Sequence, residues 1–333
     1  MSNTEKDYTQ PLGLDVGSSR IVVARTEDKG YRYEAQLNSF IALPYSKLAA
    51  SSLERQGVFH EVEGAEIVVA GDASQEFAEV FHVETRRPML NGVLNPHEPH
   101  SLGVVRNIVT RLIGKAATEG QKLFFSVPAP PIDGEDGISY HEASIGQILT
   151  DLGYAPTAVE EGLAVVFGEL DGTNFSGIGI SCGSGLSNVC LAMLSMPVIS
   201  FSVPRAGDFI DAQAARVTGD LVIRMRIQKE QSFCLNGLNG DRVQNALTVY
   251  YREMIASLVG ALRSQISSAK RLPRLDQPVP LVLSGGSAMP KGFLEQFSKA
   301  LRSSGFPLRL SEIRMSADPL NSTARGALMA ALC

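Results

Sequence analysis

Short β-branched runs alternate with stretches of helical periodicity along the chain, and the second half repeats the order of the first. Each half opens with three apolar runs separated by turn residues, which predicts two three-strand units. The elements predicted for the first half are strands at about 12–16, 20–26 and 31–43, a strand and a helix at Glu66–Ala70 and Ala73–Phe81, helices at 101–116, 139–152 and 162–170, and a buried strand at Lys122–Val127.

The second half follows the same plan and adds a long helix. Asp241 is the expected N-cap of this helix, in which Val243, Leu247 and Met254 share one apolar stripe. We therefore expect an α/β protein made of two related halves with a ligand between them. The elements predicted here are strands at 177–182, 186–194, 197–204 and Pro278–Leu283, and helices at Arg205–Thr218, 241–270, 291–303 and from about Ser322 onward.

The composition is that of a globular protein with room for two cores. The chain has 333 residues, of which 44% are hydrophobic and 20% charged. Its formal net charge of −5 argues against direct binding of nucleic acid, which is itself strongly negative. Four cysteines without metal or redox spacing predict reduced thiols in a cytoplasmic protein. No signal peptide or spanning apolar run is evident, so membrane attachment is not expected to be obligatory.

A small-residue turn between two strands occurs twice and carries the strongest chemical signal. The first is Gly17-Ser18-Ser19 within Leu12–Arg25, and the second is Gly183-Ser184-Gly185 within Gly177–Ala192. Glycine and serine let backbone N–H groups approach an anion closely. A strand rather than a helix follows each turn, unlike a Walker loop or a dinucleotide fingerprint. Two such turns that face each other would hold the phosphates of one nucleotide from both sides.

Carboxylates stand beside these turns. Asp15 ends the first strand, where it could order the waters of a divalent ion on the phosphates or simply cap its own turn. Glu160 and Glu161 precede a helix. One of them could orient or deprotonate the water that attacks the terminal phosphate, or both could only stabilise the helix by their negative charge at its N-terminus. The residue pattern by itself leaves these alternatives open.

A third glycine turn, Ser284-Gly285-Gly286-Ser287, leads from an apolar strand toward a helix. Paired glycines allow a flat base or ribose to lie against the backbone, although a plain tight connection has the same pattern. Neither Ser184 nor Ser287 lies in a Gly-x-Ser-x-Gly sequence, so we expect no hydrolase nucleophile of that kind.

These motifs, in this order, resemble those of the actin/Hsp70/sugar-kinase ATPase superfamily, and within it the bacterial actins of the MreB and MamK type. The resemblance covers nearly the whole chain and includes MreB-like stretches at Val69–Leu94 and Arg205–Asp211. It implies an actin-like ATPase fold, with two related RNase H-like domains and a nucleotide cleft between them. The superfamily motifs are matched by Leu12–Arg25 (phosphate-1), Ala158–Leu170 (first connecting helix), Gly177–Ala192 (phosphate-2), Pro280–Phe293 (adenosine) and Asp318–Leu332 (second connecting helix).

The resemblance also implies a division of the chain into domains. Domain I would comprise residues 1–160 and 316–333, with a small inserted subdomain at about 44–90. Domain II would comprise residues 161–315, with a helical subdomain at about 215–275.

By resemblance, ATP or ADP with Mg²⁺ would occupy the cleft. Asp15 would hold Mg²⁺ through water, and it would act as a catalytic residue together with Glu161, the acid that positions the attacking water. Gln228 stands where the superfamily usually has lysine. The residues expected to bind the nucleotide are Asp15, Gly17, Ser18, Ser19, Arg20, Gly183, Ser184, Gly185, Leu186, Gly207, Asp208, Gln228, Glu230, Gly285, Gly286, Ser287 and Met289.

The chain departs from the superfamily pattern in its second phosphate motif. Ser181 stands where an aspartate is usual, Leu186 and Ser187 replace the following threonines, and Gly162 replaces the proline after Glu161. A serine brings no negative charge, so we expect weaker Mg²⁺ binding and slow hydrolysis. The phosphate clamp itself depends on backbone donors and is expected to remain.

Three functions are compatible with these motifs. The leading hypothesis is a bacterial, cytoplasmic, actin-like cytoskeletal protein. It would bind ATP and Mg²⁺, polymerise with itself into filaments and hydrolyse ATP slowly. Protein adaptors are further candidate partners. A non-polymerising scaffold or chaperone-like ATPase, of pilus-assembly or reactivase type, would also fit the altered phosphate-2 motif. A small-molecule kinase would need a general-base aspartate at an acceptor pocket, and the motifs do not provide one.

Overall fold

The computed structural model of the protein describes residues 10–133, 137–238, 240–269 and 277–333. The elements of the first half are β1 (Leu12–Val16), β2 (Arg20–Glu27), β3 (Gly30–Leu37), β4 (Phe40–Pro44), α1 (Lys47–Arg55), β5 (His60–Glu63), β6 (Glu66–Ala70), α2 (Asp72–Phe81), β7 (Met89–Leu90), β8 (Val93–Leu94), α3 (Ser101–Ile113), β9 (Gln121–Val127), α4 (Ile138–Asp151), β10 (Tyr154–Glu160) and α5 (Glu161–Glu169).

The second half contains the predicted long helix, and its predicted N-cap is confirmed. The Asp241 carboxylate accepts hydrogen bonds from the backbone N–H groups of Val243 and Gln244, each at 2.9 Å. The elements here are β11 (Gly177–Cys182), β12 (Ser187–Met193), β13 (Met196–Val203), α6 (Gly207–Thr218), α7 (Val222–Gln231), α8 (Arg242–Ser268), β14 (Val279–Ser284), α9 (Phe293–Ser303), β15 (Leu310–Met315) and α10 (Ser322–Leu332).

Each half forms a five-stranded sheet, and the two sheets have the same topology. The first has the order β10-β9-β1-β2-β3, and the second has the order β15-β14-β11-β12-β13. In both, an antiparallel hairpin (β1–β2 or β11–β12) is joined by a parallel strand that comes later in the chain (β9 or β14). The two predicted phosphate turns are the turns of these hairpins, so they occupy equivalent positions in the two sheets.

Each sheet has its own hydrophobic core. Leu14, Ile145 and Ile148 are fully buried in the core of the first sheet, and Ile180 and Leu258 are fully buried in that of the second. Burial of this apolar area is the main stabilising contribution to each half. Among the helices of the described ranges, none combines the length and the apolar character that a bilayer crossing requires.

Helices α5 and α10 connect the two sheets reciprocally. Helix α5 leaves β10 of the first sheet and packs on β11 and β12 of the second, whereas α10 follows β15 and packs on β1, β2 and β9. The two helices cross at Gly326, where an added Cβ would overlap the carbonyl oxygen of Ala164. Beside the crossing, the buried Glu169 carboxylate accepts hydrogen bonds from Arg314 and Arg325. The crossing therefore joins the two sheet units through tightly packed backbone and a buried ion cluster.

The single strand predicted at 31–43 is wrong, because the chain breaks at Asn38. The backbone N–H of Asn38 donates to Ser19 O, and its side-chain Nδ2 donates to Gly17 O, each at 2.9 Å. These two bonds turn the chain toward the first phosphate turn and end β3. The following strand, β4, belongs to a separate three-stranded sheet of order β4-β6-β5.

Candidate functional site

A cavity of about 1330 Å³ lies between the two five-stranded sheets, and both small-residue turns form part of its wall. Of the residues predicted from sequence to bind nucleotide, all but two line it. Those that line it are Asp15, Gly17, Ser18, Ser19, Arg20, Gly183, Ser184, Gly185, Leu186, Asp208, Glu230, Gly285, Gly286, Ser287 and Met289, together with the catalytic candidate Glu161.

The two turns have the same backbone geometry. In the first, Gly17 N donates to Arg20 O at 3.0 Å, and in the second, Gly183 N donates to Leu186 O at 2.9 Å. An added Cβ at Gly17 would lie 2.8 Å from Arg20 O, so the tight turn excludes a side chain at that position. The hairpin–turn repeat seen in the sequence is therefore also a repeat in three dimensions.

The turns approach each other across the cavity. An added Cβ at Gly185 would lie 2.9 Å from Ser18 Oγ. The hydroxyl oxygens of Ser18 and Ser184, one from each turn, are buried and have no hydrogen-bond partner among the described residues. Buried hydroxyls without partners are costly, and a ligand rich in acceptor oxygens would satisfy them.

Two carboxylates lie at the base of the cavity, and each is held by a serine. Ser126 Oγ donates to Asp15 Oδ1 at 2.6 Å, and Ser181 Oγ donates to Glu161 Oε2 at 2.9 Å. Burial raises the pKa of both carboxyl groups, and the nearby Asp15 charge raises the pKa of Glu161 further. Two adjacent acids with raised pKa values favour a cation or a shared proton between them.

The structure distinguishes between Glu160 and Glu161. Glu161 lines the main cavity, whereas Glu160 lines a separate crevice of about 450 Å³ together with Phe124 and Leu163. The glycine that follows Glu161 also has a structural reason. An added Cβ at Gly162 would lie 2.6 Å from Cys190 N, so α5 packs too closely on β12 for a larger residue.

The start of α6 is bonded to the second phosphate turn. Gly207 N donates to Gly183 O at 3.2 Å, and Asp208 N donates to Ser184 O at 2.7 Å. Ser287 Oγ also donates to Gly183 O at 2.7 Å. Gly207, which we expected at the ligand, supports this turn and does not line the cavity.

Gln228 is the second predicted residue that the structure does not bring to the cavity. Its side chain is exposed, and the neighbouring Lys229 lines the cavity instead. Lys229 Nζ donates to Asp211 Oδ2 at 2.7 Å and to Gly207 O at 3.1 Å. Sequence reasoning missed this lysine because the resemblance placed Gln228, one position earlier, where the superfamily usually has lysine, and the bounds of α7 were not predicted.

Sequence reasoning also missed Ser126 and Arg87. Ser126 lies at the end of β9, which is parallel to β1, so a strand-pairing argument could have placed it beside Asp15. Arg87 lies in the MreB-like stretch Val69–Leu94 and lines the cavity, where it donates to Asp208. No local pattern marks either residue, since each partner is more than 100 positions away.

Solved structures with the actin-like fold match the chain over nearly its whole length. The MamK double helical filament matches with a TM-score of 0.73 and 18% identity, covering 97% of this chain and 98% of that one. MreB5 of Spiroplasma citri bound to ADP matches with a TM-score of 0.65 and 13% identity, covering 96% and 95%. The ethanolamine utilization protein EutJ from Carboxydothermus hydrogenoformans matches with a TM-score of 0.57 and 17% identity, covering 96% and 89%.

At these identities the matches show the fold, and the predicted actin-like fold is confirmed. No curated protein sequence matches the chain significantly. The sequence model of the Volactin family matches residues 11–331, and the chain therefore belongs to the Volactin family.

Proposed function

We propose that this protein is an actin-like cytoskeletal protein that binds ATP or ADP with Mg²⁺ between its two sheets and polymerises into filaments. The observation that carries the proposal is the pair of equivalent turns, which face each other across one cavity and present serine hydroxyls that have no hydrogen-bond partner within the described ranges. The likeness to MreB5 bound to ADP supports a nucleotide in this position. The proposal includes the domain division inferred from the sequence, with residues 1–160 and 316–333 in domain I and residues 161–315 in domain II.

The residues at the cavity fit a nucleotide with a divalent cation. The two turns supply small residues that allow backbone donors to approach phosphates, and Asp15 and Glu161 supply the carboxylates. Mg²⁺ would neutralise charge on the outer phosphates, and Asp15 would hold it through water. Lys229 and Glu230, which line the cavity on α7, and Met289 are the candidates for contact with the nucleoside.

The geometry of the two acids indicates slow hydrolysis. Glu161 is the candidate for orienting the attacking water, and Ser181 donates to one of its oxygens. Because Ser181 carries no charge, Asp15 and Glu161 are the two carboxylates that the described part of the chain places at this point. The bond from Ser181 fixes the orientation of Glu161 but withdraws one acceptor site from water. We therefore expect a weak ATPase.

Self-association is supported by the likeness to the MamK double helical filament. A head-to-tail contact between identical subunits gives an open filament whenever the rotation between them does not close a ring. The test is sedimentation and negative-stain electron microscopy with Mg-ATP, Mg-ADP and no nucleotide, alongside a phosphate-release assay. The proposal predicts nucleotide-dependent filaments. A protein that remains monomeric across salt and protein concentration would contradict polymerisation.

The second candidate function is a non-polymerising scaffold or chaperone-like ATPase. The observation that favours it is Ser181, which removes a charge expected in a rapidly cycling ATPase. The same experiment separates the two functions. Nucleotide binding without filaments, together with a protein partner that copurifies, would support the scaffold.

A further inference from the structure

The segment Arg86–Leu94 crosses the cleft from the first sheet unit to the second, and we call it the cleft hairpin. It contains the short strands β7 and β8 and the turn Asn91-Gly92 between them. Arg87 and Gly92 of this segment line the cavity, and none of the three glycine motifs includes them.

The base of the cleft hairpin is fixed to β4, whose Phe40 is buried in the core of the first five-stranded sheet. The backbone of Arg86 exchanges hydrogen bonds with Phe40, at 2.8 and 2.9 Å. The Arg86 guanidinium pairs with Glu98 of the same unit, with Nε donating to Oε2 at 3.0 Å. Asn38, which bonds the first phosphate turn, also donates to Met89 Sδ at 3.0 Å. The hairpin is thus connected to the first phosphate turn.

The tip of the cleft hairpin lies against the second phosphate turn. An added Cβ at Gly185 would lie 2.5 Å from Gly92 N, and one at Gly92 would lie 2.6 Å from Leu186 Cδ1. An added Cβ at Gly185 would overlap the backbone of Gly92, so the two backbones are in direct contact there, and Leu186 packs against Gly92.

The adjacent residue, Arg87, forms an ion pair across the cleft. Its Nη1 donates to Asp208 Oδ1 at 2.7 Å, and both side chains line the cavity. The side chains are 15% and 32% exposed, so the pair is partly shielded from solvent and from salt. Asp208 N in turn donates to Ser184 O. Arg87 is therefore connected through Asp208 to the turn expected to hold the phosphates.

We propose that Arg87 is a positioning residue for the nucleotide. By pairing with Asp208, it holds the second phosphate turn against the first sheet unit and slows nucleotide release. This inference rests on the proposed nucleotide binding. Arg86 is the natural comparison, because it is the neighbouring arginine and its carboxylate partner lies in its own sheet unit.

The test is the rate of release of a fluorescent ADP analogue, with Mg²⁺, by stopped-flow displacement. We expect Arg87→Gln to accelerate release by about tenfold, the scale of one lost, partly buried ion pair. Arg86→Gln should leave the rate close to that of the wild type, because its partner Glu98 lies on the same side of the cleft and the pair does not reach the second phosphate turn.

A double-mutant cycle isolates the pair from any direct contact between Asp208 and nucleotide. The effect of Arg87→Gln should disappear in an Asp208→Asn background. An Arg87→Gln protein that releases nucleotide at the wild-type rate, or effects that add in the double variant, would overturn the inference while leaving the proposed function intact. If Arg87→Gln fails to fold, the cycle is run with Arg87→Lys, and the same non-additivity with Asp208→Asn is required. A wild-type protein that binds no adenine nucleotide would refute the proposed function itself.

Discussion

The histidine on α4 gives a quantitative prediction about stability. His141 is fully buried, and neither of its ring nitrogens has a hydrogen-bond partner among the described residues. Burial lowers its pKa from 6.5 to about 4, because the imidazolium cannot be solvated in that position. In the unfolded chain the ring is free to take up a proton near its ordinary pKa.

The sign and size of the effect follow from proton linkage. Above pH 6.5 the ring is neutral in both states and contributes no pH dependence. Below pH 6.5 the unfolded state binds more protons than the folded state, so the free energy of unfolding falls as the pH decreases toward 4. The difference between 6.5 and about 4, at about 1.4 kcal/mol per pH unit, corresponds to about 3 kcal/mol.

The assay is chemical denaturation at a series of pH values from 7 to 4, for the wild type and for His141→Leu. The comparison between the two proteins is required because Asp15 and Glu161 have raised pKa values and change stability in the opposite direction. The wild type should lose about 3 kcal/mol relative to His141→Leu across this range. Replacement of the exposed His97 by Gln serves as the control. Parallel pH profiles for the wild type and His141→Leu would refute the reasoning.

Two further predictions concern the cavity. Ser181→Asp should increase Mg²⁺-dependent phosphate release by several-fold, because it adds a carboxylate beside Asp15 and Glu161. Ser181→Ala, which adds no charge, is the control. Equal rates of phosphate release for the two variants would contradict our account of slow hydrolysis. Lys229→Gln should lower the free energy of unfolding by about 3 kcal/mol, since it removes the closer of two cations at the buried Asp211 carboxylate, with Arg226 Nε remaining 3.8 Å away. An unchanged melting temperature would argue against this contribution of the Lys229–Asp211 pair.

Features set by the local sequence were predictable. The turns at Gly17 and Gly183 require small residues whatever surrounds them, and both lie between the strands predicted to flank them. The predicted helix 241–270 corresponds to α8, which spans Arg242–Ser268, because an N-cap and a long apolar stripe are local signals. The actin-like fold followed from the order of these motifs along the chain.

Features that depend on distant contacts were not predictable in the same way. The break between β3 and β4 occurs because Asn38 bonds the first phosphate turn, and no glycine or proline marks it. Whether Gln228 or Lys229 lines the cavity depends on how α7 is rotated about its own axis. An error of one residue in the predicted position therefore exchanges the exposed side chain for the one that lines the cavity. The ion pair between Arg87 and Asp208 joins residues 121 positions apart.

The altered second phosphate motif is partly explained by packing. Gly162 is required where α5 meets β12, since an added Cβ would lie 2.6 Å from Cys190 N. Ser181 replaces a charge with a hydrogen bond to Glu161. The sequence indicated a loss of charge, but only the structure shows what the serine contacts.

The most direct test of the account is isothermal titration calorimetry of the protein with ADP in the presence of Mg²⁺. The account predicts saturable binding at one site per chain. It also predicts weaker binding by Gly185→Ala, whose added Cβ would lie 2.9 Å from Ser18 Oγ, where the two turns meet, and 2.5 Å from Gly92 N of the cleft hairpin. Absence of binding heat at several temperatures would contradict the central claim that the two facing turns hold one nucleotide.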